Sequence, residues 1–228
     1  MVTRIFAPIL VGALLVAGCT DQSTSPQAGD NVTLTIGVAA SGTEGAGNNA
    51  VAIESAKILL KNIKFHQFPS DNTQDVKVGS FVVHLNLAGS LNTIAASKVP
   101  AGQYDRVRFN LHKPEDFEPI PDPEFREGES GQLRYSVIAR GVYEGRGFVY
   151  KSRENASQEI WFARPILVAE DGVANVTLLV DTNSWFVQNG VVLDPTNPGN
   201  ASAIDDAIKA SFRNAFRDDN RDRQPDDL

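Results

Sequence analysis

The chain has 228 residues, of which 42% are hydrophobic, and its 28 acidic residues outweigh 21 basic ones for a formal net charge of −7. This apolar content is enough for the core of one large domain, with or without appendages. The acidic balance argues against nucleic acid as a partner, and against attachment to anionic lipid headgroups by charge, because both require clustered lysine and arginine.

The N-terminal segment MVTRIFAPILVGALLVAGC has the organisation of a secretory signal. Arg4 supplies the positive charge, and residues 5–17 form an uncharged apolar run that is too short to span a membrane. The segment ends in Val-Ala-Gly-Cys, which resembles the lipobox of bacterial lipoproteins. That resemblance implies that residues 1–18 are removed as a signal peptide and that Cys19 is lipidated. A plain signal peptide with an incidental cysteine is the alternative.

Three further features bear on this lipid anchor. Cys19 is the only cysteine of the chain, so no intramolecular disulfide can form. Residues 19–30 are polar, as expected of a tether, and Thr20 resembles the sorting pattern of outer-membrane lipoproteins. One acyl chain binds a bilayer only marginally, so stable attachment needs more than one, as bacterial lipoproteins carry. We therefore expect a protein of the bacterial cell envelope that faces the periplasm or the outside.

The body of the chain shows the two-residue period of β-strands. Apolar and polar residues alternate over residues 31–38 and again over residues 80–87. Between them, the apolar residues of the segment 56–68 change phase at Lys61-Asn62, which predicts a β-bulge. A helix over residues 52–64 is the alternative, but the β-branched and aromatic residues there favour a strand.

A long acidic segment, residues 114–131, interrupts the strands. Four prolines stand in its sequence PEDFEPIPDPEFREGESG, and we expect a loop because no regular element survives that density of proline. Further strand-like segments follow it, so that about eight strands of ordinary length are expected in all. This pattern predicts an all-β fold, an antiparallel β-sandwich over residues 31–187, with one C-terminal helix.

The segment NASAIDDAIKASFRNAF, residues 200–216, predicts that helix. Its large apolar residues recur at every fourth position and therefore share one helical stripe. They are Ile204, Ile208, Phe212 and Phe216. We accordingly assign residues 188–228 to a C-terminal loop, this helix and an acidic tail, separate from the sandwich.

Three segments follow one another along the body of the chain: the strand KILLKNIKFH, the turn and strand VPAGQYDRVRFNL, and the later LLVDTNSW. Together they resemble the bacterial lipoprotein family called domain of unknown function 4382. The matching positions are Pro100, Ala101, Gly102, Tyr104, Val107, Arg108, Phe109, Leu111, Asp181 and Ser184. The resemblance spans residues 31–187 and implies a secreted β-sandwich, but it implies no activity.

The sequence contains none of the common motifs for nucleophilic catalysis or phosphate binding. No Gly-x-Ser-x-Gly elbow occurs, and the glycine-rich segment 41–49 lacks the Lys-Ser/Thr ending of a P-loop. His66, His84 and His112 show no metal-binding motif, so we expect solvated strand histidines, with a zinc or copper site across neighbouring strands as the alternative. We therefore assign no catalytic residue and no required cofactor.

Two tryptophans are candidates for stacking against a sugar. Trp161 lies between Ile160 and Phe162 in a predicted strand, and Trp185 lies next to Phe186 at the end of another. An exposed ring at either position offers a platform for a glycan, but burial in the core is the interpretation that we prefer for both.

The C-terminal stretch RDDNRDRQPDD offers an oxygen ligand at every second residue. The ligand set is Asp218, Asn220, Asp222, Gln224 and Asp226. This spacing after a helix is typical of calcium loops and resembles the aspartate-rich loops of thrombospondin type 3 repeats. Position six, where a calcium loop has glycine, is Arg223, which weakens the match. A weak calcium site is one interpretation, and a frayed, solvated tail is the one we prefer.

These observations predict a non-catalytic, structural or ligand-binding module on the cell envelope. Its expected partners are the membrane, through the lipid anchor, and a glycan or an envelope protein. Binding is expected at the acidic loop and at the aromatic strand ends, because functional residues concentrate on loops held by a rigid scaffold. One alternative is a calcium-dependent adhesion or carbohydrate-binding module. Another is a polysaccharide hydrolase, which requires two carboxylates facing each other across a cleft.

Overall fold

The computed structural model describes residues 25–39, 50–127 and 133–226. Within these residues the chain forms twelve β-strands and one α-helix, α1 (Ala201–Ala210). The strands are β1 (Val32–Val38), β2 (Val51–Phe68), β3 (Thr73–His84), β4 (Asn92–Ser97), β5 (Gly102–Leu111), β6 (Val137–Tyr143), β7 (Arg146–Ser152), β8 (Ala156–Val168), β9 (Ala174–Val180), β10 (Val187–Gln188), β11 (Val191–Val192) and β12 (Phe212–Arg217). The predicted signal peptide and Cys19 lie outside the described residues. None of the helices in the described ranges has the length and apolarity needed to cross a bilayer.

Two sheets that share one hydrophobic core form the predicted antiparallel β-sandwich. The four-stranded sheet has the order β12-β9-β1-β4, in which β1 and β9 run parallel to each other. The six-stranded sheet has the order β7-β6-β2-β5-β8, with β3 paired to β2. The described strands outnumber the eight or so that we expected, partly because β10 and β11 form a separate hairpin of two residues each.

The 18-residue strand β2 organises the six-stranded sheet. One edge of β2 pairs with β3, whereas the other edge pairs with β6 along its first half and with β5 along its second half. Leu59 lies where β6 and β5 part, since its N–H donates to the carbonyl of Ser136 and its carbonyl accepts from the N–H of His112. The predicted bulge at Lys61-Asn62 is confirmed, because the pairing register shifts there and Asn62 has a φ of 54°.

The C-terminal segment differs from its prediction. The helix ends at Ala210, and the residues after it form β12, which runs antiparallel to β9 at the edge of the four-stranded sheet. The strand does not preserve the predicted apolar stripe, because a register shift between Phe212 and Asn214 places Phe212 and Ala215 in the core and leaves Phe216 half-buried. Pairing with β9 gives this segment backbone hydrogen bonds and buries Phe212 against Phe109, with ring centroids 5.4 Å apart. Residues 212–217 are therefore a strand of the four-stranded sheet rather than part of a helix and tail.

Candidate functional site

Trp161 is an exposed aromatic side chain on the outer face of the six-stranded sheet. Its neighbours Ile160 and Phe162 point into the core, so alternation along β8 turns the indole outward, where it is 58% exposed. The register places Trp161 opposite Arg106 of β5, and the guanidinium carbon lies 4.1 Å from the centroid of the ring. This cation–π contact holds the ring in place while more than half of its surface remains open to a ligand.

Trp185, the second stacking candidate, is fully buried. It follows a 3-10 turn, Thr182–Ser184, that directs the ring into the core, where its Nε1 donates to the hydroxyl of Ser211 at 2.9 Å. The stacking hypothesis for Trp185 is therefore wrong, and the preferred interpretation, burial in the core, holds for this residue. The sequence shows an aromatic pair after a strand, but it does not show the turn that reorients the first ring.

Two of the three histidines, His66 and His112, contact carboxylates, whereas His84 is exposed as predicted. His66 is almost fully buried, with its Nδ1 at 3.0 Å from Asp105 Oδ1 and its Nε2 at 3.5 Å from Asp71 Oδ1. His112 Nε2 lies 2.7 Å from Glu118 Oε2. Across the part of the chain that the structure describes, no group of three or more His, Cys, Asp or Glu side chains is placed to hold a metal ion.

Residues 114–127, called the acidic strap below, lie across the outer face of the six-stranded sheet. The strap contains one 3-10 turn, Pro123–Arg126, and is otherwise irregular, as its prolines predict. Phe125 of this turn is fully buried against Leu59 and Ile138, at the point where β5 and β6 part. Burial of this phenylalanine thus fixes the C-terminal part of the strap, although its composition alone indicates a polar loop.

The acidic side chains of the strap are paired with basic side chains of the sheet. Glu124 lies 2.6 Å from Lys57 and 3.3 Å from Lys151, and it also pairs with Arg140. Burial alone would raise the pKa of Glu124, but the hydrogen bonds from these three cations lower it to about 2. Asp122 pairs with the same lysine, Lys57. Glu124 therefore remains ionised well below neutral pH.

Glu118 forms a second attachment point of the strap. Its carboxylate accepts from the hydroxyl of Ser80, and it lies 3.2 Å from Lys61 and 2.7 Å from His112. Burial would again raise the pKa, but hydrogen bonds from Ser80, from the backbone of Glu115 and from His112 lower it to about 2. Sequence reasoning missed these partners, although outward-facing lysines on β2 and acids on the strap were both visible.

The C-terminal residues 218–226 form an ordered loop on the four-stranded sheet, so the preferred prediction of a frayed tail is wrong. Asp218 is fully buried. Its carboxylate accepts from the hydroxyl of Thr177 at 2.7 Å, from the N–H of Asp222 at 2.9 Å and from the N–H of Arg223 at 3.1 Å. The physical reason is a set of buried polar side chains on β1 and β9 that this loop covers. These side chains are Thr33, Thr35, Asn175 and Thr177.

The conformation and hydrogen bonds of this loop involve the predicted calcium ligands. Arg223 has a φ of 69°, the left-handed conformation for which position six of a calcium loop uses glycine. The oxygens of Asp218 and Asp222 accept hydrogen bonds from the loop itself, including the N–H of Gln224 at 2.8 Å from Asp222. Asp226 accepts from the N–H of Asp219 and thereby closes the loop. Calcium binding by this loop stays a prediction.

No family model matches the sequence, and neither a curated protein nor a solved structure matches the chain. The resemblance to domain of unknown function 4382 therefore stays a prediction. Two of the residues on which this resemblance depends form hydrogen bonds within turns of the fold. Tyr104 is buried and donates its hydroxyl to the carbonyl of Pro100 at 2.7 Å. The hydroxyl of Ser184 donates to the carbonyl of Asp181 at 2.8 Å.

Proposed function

We propose that the protein is a lipid-anchored module of the bacterial cell envelope that acts by binding or by structure rather than by catalysis. The observation that carries the non-catalytic part is the pairing of the acidic strap. Its strongly perturbed carboxylates, Glu118 and Glu124, contact lysine, arginine and histidine side chains of the sheet. Perturbed carboxylates mark active sites only when they converge on a cleft, and ion-pair networks perturb them equally.

The chemistry of these carboxylates argues against the hydrolase alternative. A glycosidase needs a general acid whose pKa is raised, opposite a second carboxylate. In the strap the pKa of both Glu118 and Glu124 is lowered to about 2, which makes them poor acids at neutral pH. Burial does raise the pKa of Asp205, but this carboxylate accepts from the hydroxyl of Tyr150 at 2.8 Å, between α1 and β7. Both arrangements support a structural role.

The proposed anchor follows from the N-terminal sequence and from the place where the fold begins. The lipobox-like ending at Cys19 is separated from Asn31 by a polar segment, and β1 starts at the next residue, Val32. Twelve residues, from 20 to 31, thus link the proposed lipid to a central strand of the four-stranded sheet. Such a chain spans at most about 40 Å when fully extended, so an anchored sandwich stays close to its membrane.

Metabolic labelling with palmitate tests the anchor. We expect label on the wild-type protein and none on Cys19→Ala, which also leaves the membrane fraction, because the thiol is the only acceptor of its kind. The matched control is Ser23→Ala in the tether, which keeps the cysteine and retains both label and membrane association. Labelling of Cys19→Ala equal to that of wild type would overturn the proposal.

A further inference from the structure

The end of the sandwich at which the tether enters is fixed by Asn31. Its side-chain amide donates to the carbonyl of Val99 at 2.8 Å and to that of Ala169 at 3.1 Å, and its oxygen accepts from the N–H of Val99 at 2.9 Å. The backbone of Asn31 also accepts from the N–H of Ala174. This end is therefore built from the start of β1, the turn before β5 and the turn between β8 and β9.

The same end exposes three large apolar side chains. Phe68 at the end of β2 is 46% exposed, Leu167 near the end of β8 is 55% exposed, and Val173 before β9 is 51% exposed. The register sets Phe68 and Leu167 on either side of Gln103, which is the second residue of β5. These side chains thus lie at the anchored end rather than being scattered over the surface.

Trp161 lies further along the outer face of the same sheet. The register sets His66, Arg106 and Trp161 side by side, three residues along β5 from Gln103, which lies between Phe68 and Leu167. Tryptophan is enriched where a protein meets the headgroup region of a bilayer, and an arginine there keeps its charge in water while its stem covers apolar surface. The stacked pair of Arg106 and Trp161 has this composition.

We propose that Phe68, Trp161, Leu167 and Val173, the anchor-proximal patch, rest on the bilayer to which the chain is attached. The proposal depends on the lipid anchor proposed above, because the short tether holds this end near the membrane and so favours a contact that is weak by itself. Acidic residues accompany the patch, with Glu170 and Asp171 in the adjoining turn. Contact consequently depends on apolar burial rather than on anionic headgroups.

Fluorescence quenching in vesicles tests the contact. The full, lipidated protein is reconstituted into vesicles of phosphatidylethanolamine and phosphatidylglycerol whose acyl chains are brominated near the headgroup end. We expect bromine to reduce the emission of Trp161 about twofold, whereas Trp185, which is fully buried within the protein, is shielded. The variant Trp161→Phe retains only Trp185 and should lose the quenching.

Two further variants test whether this patch, rather than any exposed apolar side chain, contacts the bilayer. Replacing Phe68 and Leu167 together by serine should reduce the quenching of Trp161 without changing the fold, since both side chains are already about half exposed. Val191→Ser is the matched control, because this exposed valine belongs to the β10–β11 hairpin, away from the tether. It should leave the quenching unchanged.

The outcomes distinguish this proposal from the anchor itself. A palmitate-labelled protein whose Trp161 is not quenched would overturn the contact and leave the anchor standing, whereas an unlabelled protein would remove both. A glycan is the competing occupant of the Trp161 ring. If soluble peptidoglycan fragments shift the emission of Trp161 while brominated lipids do not, the patch is a glycan site and the membrane contact is wrong.

Discussion

Replacing Asp218 by alanine should lower the free energy of unfolding by about 3 kcal/mol. The fully buried carboxylate accepts hydrogen bonds from the Thr177 hydroxyl and from the N–H groups of Asp222 and Arg223. Alanine leaves all three donors without this acceptor and removes one of the contacts that hold the C-terminal loop on β9, while the hydrogen bonds between the Asp218 backbone and Asn175 remain. Urea unfolding followed by circular dichroism measures the change, with the midpoint moving to lower urea at an unchanged slope.

The matched control for this prediction is Asp206→Ala. Asp206 is an aspartate of α1 that is largely exposed and pairs with Lys209. Its removal should change stability by less than about 0.5 kcal/mol, as is usual for an exposed ion pair. If Asp218→Ala were as stable as this control, the loop would not be held by the buried carboxylate, and the account of the C-terminal segment would be wrong.

Acid should destabilise the protein in the window from about pH 4.5 to about pH 2, by roughly 2–4 kcal/mol in total. The folded pKa of Glu118 and of Glu124 is about 2, below the ordinary value of 4.5. Both groups therefore stabilise the fold fully above pH 4.5, and this contribution is lost as the pH falls toward 2. Urea unfolding at several pH values across this window measures the slope.

The double variant Glu118→Gln and Glu124→Gln isolates the contribution of the strap. It should be less stable than wild type at pH 7, because Arg140 loses its anionic partner and Lys57 and Lys61 each lose one of two. It should also lose most of the pH dependence between 4.5 and 2. The exposed Glu54→Gln serves as the control and should keep the wild-type slope. A double variant with the full wild-type slope would show that other carboxylates carry the acid sensitivity.

Local sequence patterns predicted the β-sandwich well where the two-residue period of a strand is the main signal. The phase break at Lys61-Asn62 could be seen because strand periodicity is a local signal, and the bulge follows from it. The C-terminal segment could not be predicted from local patterns. Phe212 and Phe216 continue the helical stripe of Ile204 and Ile208, whereas the strand is selected by the edge of β9, where Val180, the partner of Phe212, lies 32 residues away in the sequence.

The candidate sites were less predictable because they depend on contacts between distant segments. The residues around Trp185 in the sequence do not indicate that a turn buries it. Likewise, the residues around Asp218 do not indicate that its partners are buried polar side chains of β1 and β9. The acidic strap is similar, since its composition indicates a solvated loop until Lys57 and Lys61 of β2 are placed beneath it. The alternation of side chains along β8 is a local signal. It did indicate that either Trp161 or its two neighbours face outward.

Intact-mass spectrometry of the protein extracted from the membrane fraction tests the lipid anchor most directly. The account predicts a chain that begins at Cys19, lacks residues 1–18 and carries the added mass of a diacylglyceryl group and a further acyl chain on that residue. A chain that retains Met1, or one that begins elsewhere without any added lipid mass, would contradict it.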